Sequence, residues 1–560
     1  MLTVLLSILM FSQGLSMDSR GTSFITAFPE NIAVYYKKTV NLLKITTLHP
    51  NTTVNVTYMA NGTVNTTECI KNGTILTVYW NKNVEEYQFV SSNKSFRITS
   101  DKNVTVLSVS GWEGRFQSHV VQPEQHLGTV YQVPALNYTK IAASFSLVMT
   151  SVRFLPFRLM IINAVDRNNS VTIEQVDERG QSQADRITLD PYKLFQIEIN
   201  GTVREIKASE KVAVLLTHPC FDRIDCSCNM VVNQLKPPVF DKIPATFLVP
   251  SYFNAKQLLV TTNQSCSVCL YSNCISVQNS TDIVPLFGNI INTSSLISTT
   301  VHVSLRLISP GLILDLIPTS MFSGCYLLGF SSPSSSSRAL VIANTSSTNG
   351  VRINDQPLNS NIRWSVMNGS EYSWALVEAQ KIGTIWHPTS KIGVYMIERL
   401  DFDSIYGSPA MAINMDPDGN GCLVTPEIFV LGKDEMSWFM SRKYCLENAY
   451  QLARIVANNT VNKVVLNMTL QKPTEGWIGL RRGLYTTDWY WKNEDNFPST
   501  VNFTYWQRGQ PEKPEKGLCA SVSLDPRKEF KWQSAPCCSK KKPVCYGTTK
   551  YLTYSDTVKL

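Results

Sequence analysis

The stretch from Tyr444 to Tyr546 constrains this chain more than any other, because its cysteines and tryptophans fall in a fixed order among polar loops. Lys443-Tyr444-Cys445 opens a helix, then come Trp477-Ile478-Gly479-Leu480, Trp489-Tyr490-Trp491, Cys519-Ala520-Ser521-Val522, the span from Trp532 to Cys537, and Pro543-Val544-Cys545-Tyr546. Each piece is weak alone, and the ordered set is specific. Trp477 and Leu480 read as core, since large apolar side chains are usually buried.

This ordered set resembles the C-type lectin domain over the last fifth of the chain. The resemblance implies an α+β domain with two bridges, Cys445 to Cys545 across its ends and Cys519 to Cys537 in the loop region. Closing a loop of that first length is worth about 4 to 5 kcal/mol in the chain-entropy model. In sugar-binding members a calcium ion is held by a Glu-Pro-Asn or Gln-Pro-Asp triplet, a carboxylate before the third cysteine, and an Asn-Asp pair after the last tryptophan. Calcium requires such a set because it is a hard cation that takes six to eight oxygen ligands. Here the corresponding residues are Gln510-Pro511-Glu512, Gly517 and Gln533-Ser534, with Glu515 nearby as a substitute carboxylate. The expectation is therefore no cofactor and no metal, with Gln510 and Glu512 as the ligands if calcium binds. Arg508, Lys513, Lys516, Arg527, Lys528, Lys531 and Lys540-Lys541-Lys542 surround this loop, and a cationic face attracts sulfated or sialylated glycans.

The first residues, Leu2 to Phe11, are an apolar run followed by Gly14-Leu15-Ser16, which reads as a signal peptide of residues 1–16. No later stretch has the eighteen or more apolar residues of a membrane span. Sequons at Asn51, Asn55, Asn61, Asn65, Asn72, Asn93, Asn103, Asn137, Asn168, Asn200, Asn263, Asn279, Asn292, Asn344, Asn368, Asn458, Asn467 and Asn502 support export as a glycoprotein. In an oxidising compartment all 14 cysteines are expected to form disulfides, including Cys266 and Cys269. Cys538 is surplus to the lectin pattern: it pairs with Cys422 across the linker, or with another chain in a covalent dimer.

Between these ends, hydrophobic residues make 43% of the chain and charged residues 17%, a composition of packed β structure. The net charge of +8 comes with no concentrated basic stripe, which argues against nucleic acid. Short apolar strands recur: Gly21–Phe28, Gly128–Pro134, Ala245–Pro250 and Gly324–Phe330 resemble one another, each is followed by a second strand, and units end alike at Ser100–Ser108, Ser209–Leu216 and Ser390–Tyr395. The fold class is thus mainly β, a repeated all-β region of propeller-like modules or tandem β-sandwiches followed by the lectin-like domain. Gly21–Asn31, with Lys211–Leu215 running into His218-Pro219-Cys220, resembles the N-terminal region of the IgGFc-binding protein family. That resemblance implies a mucus-associated protein able to bind immunoglobulin. The domains read as 17–410 for the β region, 411–430 for a linker containing the turn-forming Asp416–Gly421, 431–547 for the lectin-like domain and 548–560 for a polar tail.

His49, His119, His126, His218, His302 and His387 lack metal-binding spacing, and no nucleophile or phosphate-loop signature appears. The chain is expected to be no enzyme. The functional expectation is a secreted recognition glycoprotein whose lectin-like domain binds a glycan or glycoprotein without calcium. The alternatives are a calcium-dependent galactose-type lectin, and an immunoglobulin- or mucin-binding structural component of mucus.

Overall fold

The computed structural model describes residues 18–32, 39–80, 84–112, 115–136, 141, 155–176, 181–199, 201–221, 230–238, 243–253, 255, 257–262, 264–270, 273–277, 281–285, 295–309, 311–330, 337–354, 356–359, 361–378, 383–399, 405–448, 450–456, 475–483, 488–492, 498–525, 528–552 and 558–559. The proposed signal peptide lies outside them. The chain divides into a body, residues 1–422 with 552–560, and a second unit, residues 423–551.

Alternating and fully apolar runs of β-branched residues make the body almost entirely strand. Module 1 contains β1 (Gly21–Pro29), β2 (Thr39–Thr47), β3 (Thr52–Tyr58), β4 (Thr63–Cys69), β5 (Ile75–Trp80), β6 (Ser95–Trp112) and β7 (Arg115–Val121). Strand β6 is long enough to belong to two sheets. Its first half pairs with β1 and β3, and its second half with β2 and β7, all antiparallel. The sheets are therefore β4-β3-β6-β1 and β5-β2-β6-β7. Phe24, Phe28, Val54, Val56, Phe96, Ile98 and Val106 fill the core of this module.

The same order recurs. Module 2 has β8 (Gly128–Gln132), β9 (Phe157–Asn163), β10 (Asn169–Val176), β11 (Ser182–Leu189), β12 (Leu194–Ile199), β13 (Val203–His218) and β14 (Val231–Gln234), paired as β11-β10-β13-β8 and β12-β9-β13-β14. In module 3 the sixth strand is broken in two. Its strands are β15 (Ala245–Val249), β16 (Gln257–Thr261), β17 (Cys266–Leu270), β18 (Asn273–Val277), β19 (Thr281–Pro285), β20 (Ser295–Thr299), β21 (Ser304–Ser309) and β22 (Leu312–Asp315), giving β18-β17-β20-β15 and β19-β16-β21-β22. Module 4 repeats this with β23 (Cys325–Leu327), β24 (Ser337–Asn344), β25 (Arg352–Ile353), β26 (Gln356–Pro357), β27 (Tyr372–Glu378), β28 (Thr384–Trp386), β29 (Gly393–Arg399) and β30 (Ile405–Pro409), giving β26-β25-β28-β23 and β27-β24-β29-β30.

The sequence left sandwich and propeller open, and the body has features of both. Each module is a two-sheet sandwich. Their last strands pack in a closed cycle, β7 on β14, β14 on β22, β22 on β30 and β30 on β7. Inside this cycle lies a cavity of about 40 Å³ with a mixed lining, in which His119, Gln234, Lys236 and Asp315 stand beside Val232 and Leu314.

The repeated glycine and aromatic openings have a steric cause. A Cβ at Gly21 would sit 2.4 Å from Pro123, one at Gly128 2.7 Å from Pro237, and one at Gly324 2.5 Å from Pro417. Each of these prolines follows the last strands of its module, so the glycine admits the chain that closes the module. Three residues beyond Gly21 and Gly128 stand Phe24 and Tyr131, and Tyr326 follows Gly324, all fully buried. The Tyr131 hydroxyl accepts from Gly128 N at 2.9 Å and donates to Val212 O at 2.6 Å, and the Tyr326 hydroxyl accepts from Ser323 N at 3.1 Å.

Three sequence expectations change here. The linker expected from residue 411 begins with a strand, β31 (Met411–Asn414), that extends module 4 beside β23. Cys422 does not pair with Cys538: it bonds to Cys325 of β23, fastening the end of the body to module 4. Cys325 lies on the strand that β31 runs beside, so the chain leaving β31 brings Cys422 to a partner within the body. Cys269 pairs with Cys274, and, against the expectation that every cysteine is bridged, Cys69, Cys266 and Cys538 are free thiols among the described residues, no second thiol being bonded to them.

Candidate functional site

The second unit opens with β32 (Leu423–Thr425), which pairs with β41 (Lys550–Tyr551), so its two ends meet and part of the expected tail is strand. Between them lie β33 (Ile428–Leu431), α1 (Trp438–Glu447), β34 (Gln451–Leu452), β35 (Glu475–Arg482), β36 (Trp489–Lys492), β37 (Pro498–Thr500), β38 (Cys519–Ser523), β39 (Trp532–Ala535) and β40 (Lys542–Gly547). The sheet runs β33-β40-β35-β36-β37, with β38 on β35 and β39 on β38. Ser437 caps α1, its Oγ accepting from Met440 N at 3.4 Å. Disulfides join Cys445 of α1 to Cys545 of β40, and Cys519 of β38 to Cys537 just after β39. Trp477 and Trp438 are buried, and each indole N–H donates to a backbone oxygen at 2.8 Å, that of Met436 and of Ile478.

This frame presents the loop before β38. The Gln510–Pro511 peptide is cis. Gln510 Oε1 accepts from both Ser534 N at 2.9 Å and Ser534 Oγ at 2.8 Å. Ser534 Oγ also accepts from Glu512 N at 2.9 Å. The Glu512 carboxylate receives Gln510 Nε2 at 3.4 Å and lies 3.1 Å from Lys516 Nζ. Arg482 Nη1 donates to Glu512 O at 3.0 Å while its guanidinium stacks 4.7 Å from the Trp489 ring. Gln510 and Glu512 are thus brought together, but their oxygens already serve Ser534 and Lys516. Glu515 is exposed on the adjoining turn.

Gly517 shows why the family carboxylate is missing. A Cβ there would lie 2.5 Å from the Ala535 backbone, so the two loops close against each other where a side chain would stand. Among the described residues no group of three or more His, Cys, Asp or Glu is placed to hold a metal ion.

The cationic side chains divide into two kinds. Arg508, Lys513, Lys516, Lys528 and Lys540 are exposed, and Arg527 lies outside the described residues. Lys531 is held 2.6 Å from Glu529, which raises its pKa and lowers that of Glu529, and it lies 6.0 Å from the Tyr505 ring. Lys541 is no part of a free basic face. It is paired with Glu475, lies 5.5 Å from the Trp477 ring, and its ammonium is held below the ordinary lysine range by desolvation.

Sequence reasoning missed Ser534, Arg482 and the aromatic shelf beside the loop. In that shelf Trp489 lies 4.7 Å from Trp506, and Phe503 stacks 6.1 Å from Tyr505. The signal was present in the density of aromatics from Trp489 to Trp506, but their partners lie across the sheet. Of the sequons, Asn51, Asn61, Asn65, Asn93, Asn168, Asn368 and Asn502 are exposed, and Asn55, Asn72, Asn103 and Asn344 are partly so. Asn137, Asn200, Asn263, Asn279, Asn292, Asn458 and Asn467 lie outside the described residues.

Residues 434–547 match the Lectin C-type domain family. Human IgGFc-binding protein is 24% identical over 397 residues, which is 66% of this chain and 7% of the relative, so the chain spans a small fraction of that protein's length. Among solved structures, human lithostathine is 22% identical, with 22% of this chain and 85% of that chain covered at a TM-score of 0.20. The C-type lectin domain of murine dendritic cell inhibitory receptor 2, solved in complex with an N-glycan, is 19% identical, covering 22% and 91% at a TM-score of 0.19. The described chain is mainly β, with a C-type lectin domain at residues 434–547. Among the described residues no helix is long and apolar enough to cross a membrane.

Proposed function

We propose, with the C-type lectin domain as premise, that this chain is a secreted, non-enzymatic recognition glycoprotein that binds a glycan or glycoprotein without calcium, at a luminal or mucosal surface. The observation that carries the calcium-free reading is the engagement of Gln510 and Glu512 by Ser534 and Lys516. A cation at this loop would have to displace both, with Gly517 adding no charge, and calcium affinity follows the number of charged ligands. Recognition then falls to the exposed cations Arg508, Lys513, Lys516 and Lys528 together with Lys531 and Arg527, which suit a sulfated or sialylated glycan.

The test is binding of the full chain to a glycan array containing neutral, sialylated and sulfated members, in millimolar calcium and in chelator. Equal binding in both, weakened by Lys528→Ala with Lys531→Ala and by added salt, is expected. Loss of all binding in chelator would return Gln510 and Glu512 to a galactose-type calcium site. A second reading rests on the relative: immunoglobulin or mucin binding by the β body. Including immunoglobulin G and mucin on the same array tests it, and signal there that survives deletion of residues 423–551 favours it.

A further inference from the structure

The fourth strand of each module is the outer edge of its first sheet, and an unpaired edge offers backbone donors and acceptors to another chain. The body guards three of these edges in ways legible in the side chains. Strand β11 carries Asp185 and Arg186 at its centre. Strand β18 is short, five residues, and is fixed to β17 by Cys269–Cys274. Strand β26 is two residues long and ends in Pro357. Short length, charge and proline are the usual devices that blunt an edge.

Strand β4 is neither short nor closed by proline, and carries no charge at its centre. It is seven residues long, reads Thr-Val-Asn-Thr-Thr-Glu-Cys, and contains one charge, Glu68. Val64 is 54% exposed and Ile70, just beyond the strand, 73%. What it has instead is sequons. The register places Asn55 opposite Thr66 and Val56 opposite Asn65. Val54 and Val56 are buried, so Asn55 stands on the face away from the core and Asn65 on the other. Asn61 lies in the turn between the strands, its Oδ1 accepting from Thr63 N at 3.0 Å, and Asn51 precedes β3. Acceptor sites thus occupy both faces and both ends of one hairpin.

We infer that N-linked oligosaccharide at Asn55, Asn61 and Asn65 is the guard of the β4 edge, and that without it β4 pairs with β4 of a second copy of this chain. The inference rests on the reading of the chain as a secreted glycoprotein. An oligosaccharide on each face of a two-stranded hairpin leaves no approach for a further strand, whereas bare β4 is a long, weakly charged, β-branched template.

The experiment uses the full chain secreted from mammalian cells. Asn55→Gln, Asn61→Gln and Asn65→Gln are combined in one variant, and Asn93→Gln, Asn368→Gln and Asn502→Gln in a control that removes the same number of exposed sequons elsewhere. Peptide mass spectrometry reads occupancy, and size exclusion with light scattering reads association over a concentration series. The hairpin variant is expected to associate to dimers or larger species as concentration rises while wild type and control stay monodisperse. Adding Val64→Lys to the hairpin variant should restore monodispersity, which misfolding would not allow. Unoccupied Asn55, Asn61 and Asn65 in the wild type would overturn the inference through its premise of glycosylation. Occupied sites with a monodisperse hairpin variant, or association that Val64→Lys leaves unchanged, would overturn the guard itself while leaving secretion standing.

Discussion

Gly517 occupies a position where sugar-binding lectin domains carry a carboxylate, and its neighbour across the loop decides whether that charge can be restored. A Cβ there meets the Ala535 backbone at 2.5 Å, and backbone held by β39 and the Cys519–Cys537 bridge has little room to move. Gly517→Asp is therefore expected to destabilise the lectin unit by about 1–3 kcal/mol, the range for overpacking. No calcium-dependent rise in melting temperature should accompany it. Thermal unfolding with and without millimolar calcium checks both parts, since a ligand of the folded state raises the midpoint. A calcium shift would mean that the loops part and the missing carboxylate was the sole defect. The same scale explains Tyr131, whose hydroxyl is fully buried between Gly128 N and Val212 O. Tyr131→Phe leaves both groups without that partner and should cost about 1–3 kcal/mol of stability, read by denaturant unfolding.

At the scale of elements, the Cys325–Cys422 bond holds the strand β23 against the end of the body across a sequence separation of 97. Loss of a bridge spanning such a loop costs about 4–5 kcal/mol in the chain-entropy model. Cys422→Ser should lower the unfolding midpoint of the body. Alkylation of the native wild type should label Cys538 while Cys69 and Cys266, which are buried, react only after unfolding. A Cys422–Cys538 peptide in a nonreducing digest would refute this pairing. Much of the strand order was legible beforehand: the glycine and aromatic openings are the first strands, Leu42–Thr47 and its counterparts are the second, and the similar endings lie on the sixth. What could not be read was the crossing of β6 and β13 between two sheets, because a continuous strand keeps its period of two while its partners change. Disulfide partners were hidden for a related reason, as they depend on which strands become neighbours in space. In the lectin unit the Gln510-Pro511-Glu512 loop was visible as a motif. Its closure by Ser534 was not, because that contact joins residues on opposite sides of β38.

Across the whole body, the cycle of last strands carries polar as well as apolar contacts at its centre. Arg306 lies 2.8 Å from Asp315 and donates to Asn233 Oδ1 at 3.1 Å and Thr261 Oγ1 at 3.2 Å, and Gln234 Oε1 accepts from Gln122 N at 2.9 Å. Lys236 and His119 line the same cavity. Burial lowers the His119 pKa from 6.5 to about 4, so the imidazole is neutral in the folded body at ordinary pH. In the unfolded chain the same ring takes a proton below about pH 6.5. Since the unfolded state binds more protons between these values, stability is full above pH 6.5, falls as the pH drops, and loses about 3 kcal/mol from this residue by pH 4. His218, fully buried beside Phe157 in module 2 and lowered to about 3, adds a loss in the same direction that extends further into acid. Protonating His119 would also put a charge into the cavity where the last strands of the four modules meet, which Lys236 lines as well. Acid should therefore loosen the cycle before it melts the separate sandwiches. Thermal unfolding of the full chain from pH 7 to pH 4 is expected to show a falling midpoint, with hydrogen exchange rising first in β7, β14, β22 and β30. His119→Gln should reduce the slope between pH 6.5 and 4 to about half, the loss that remains there and down to about pH 3 belonging to His218. An unchanged profile in that variant would mean that the imidazole takes its proton without disturbing the centre, and that other groups set the acid limit of the fold.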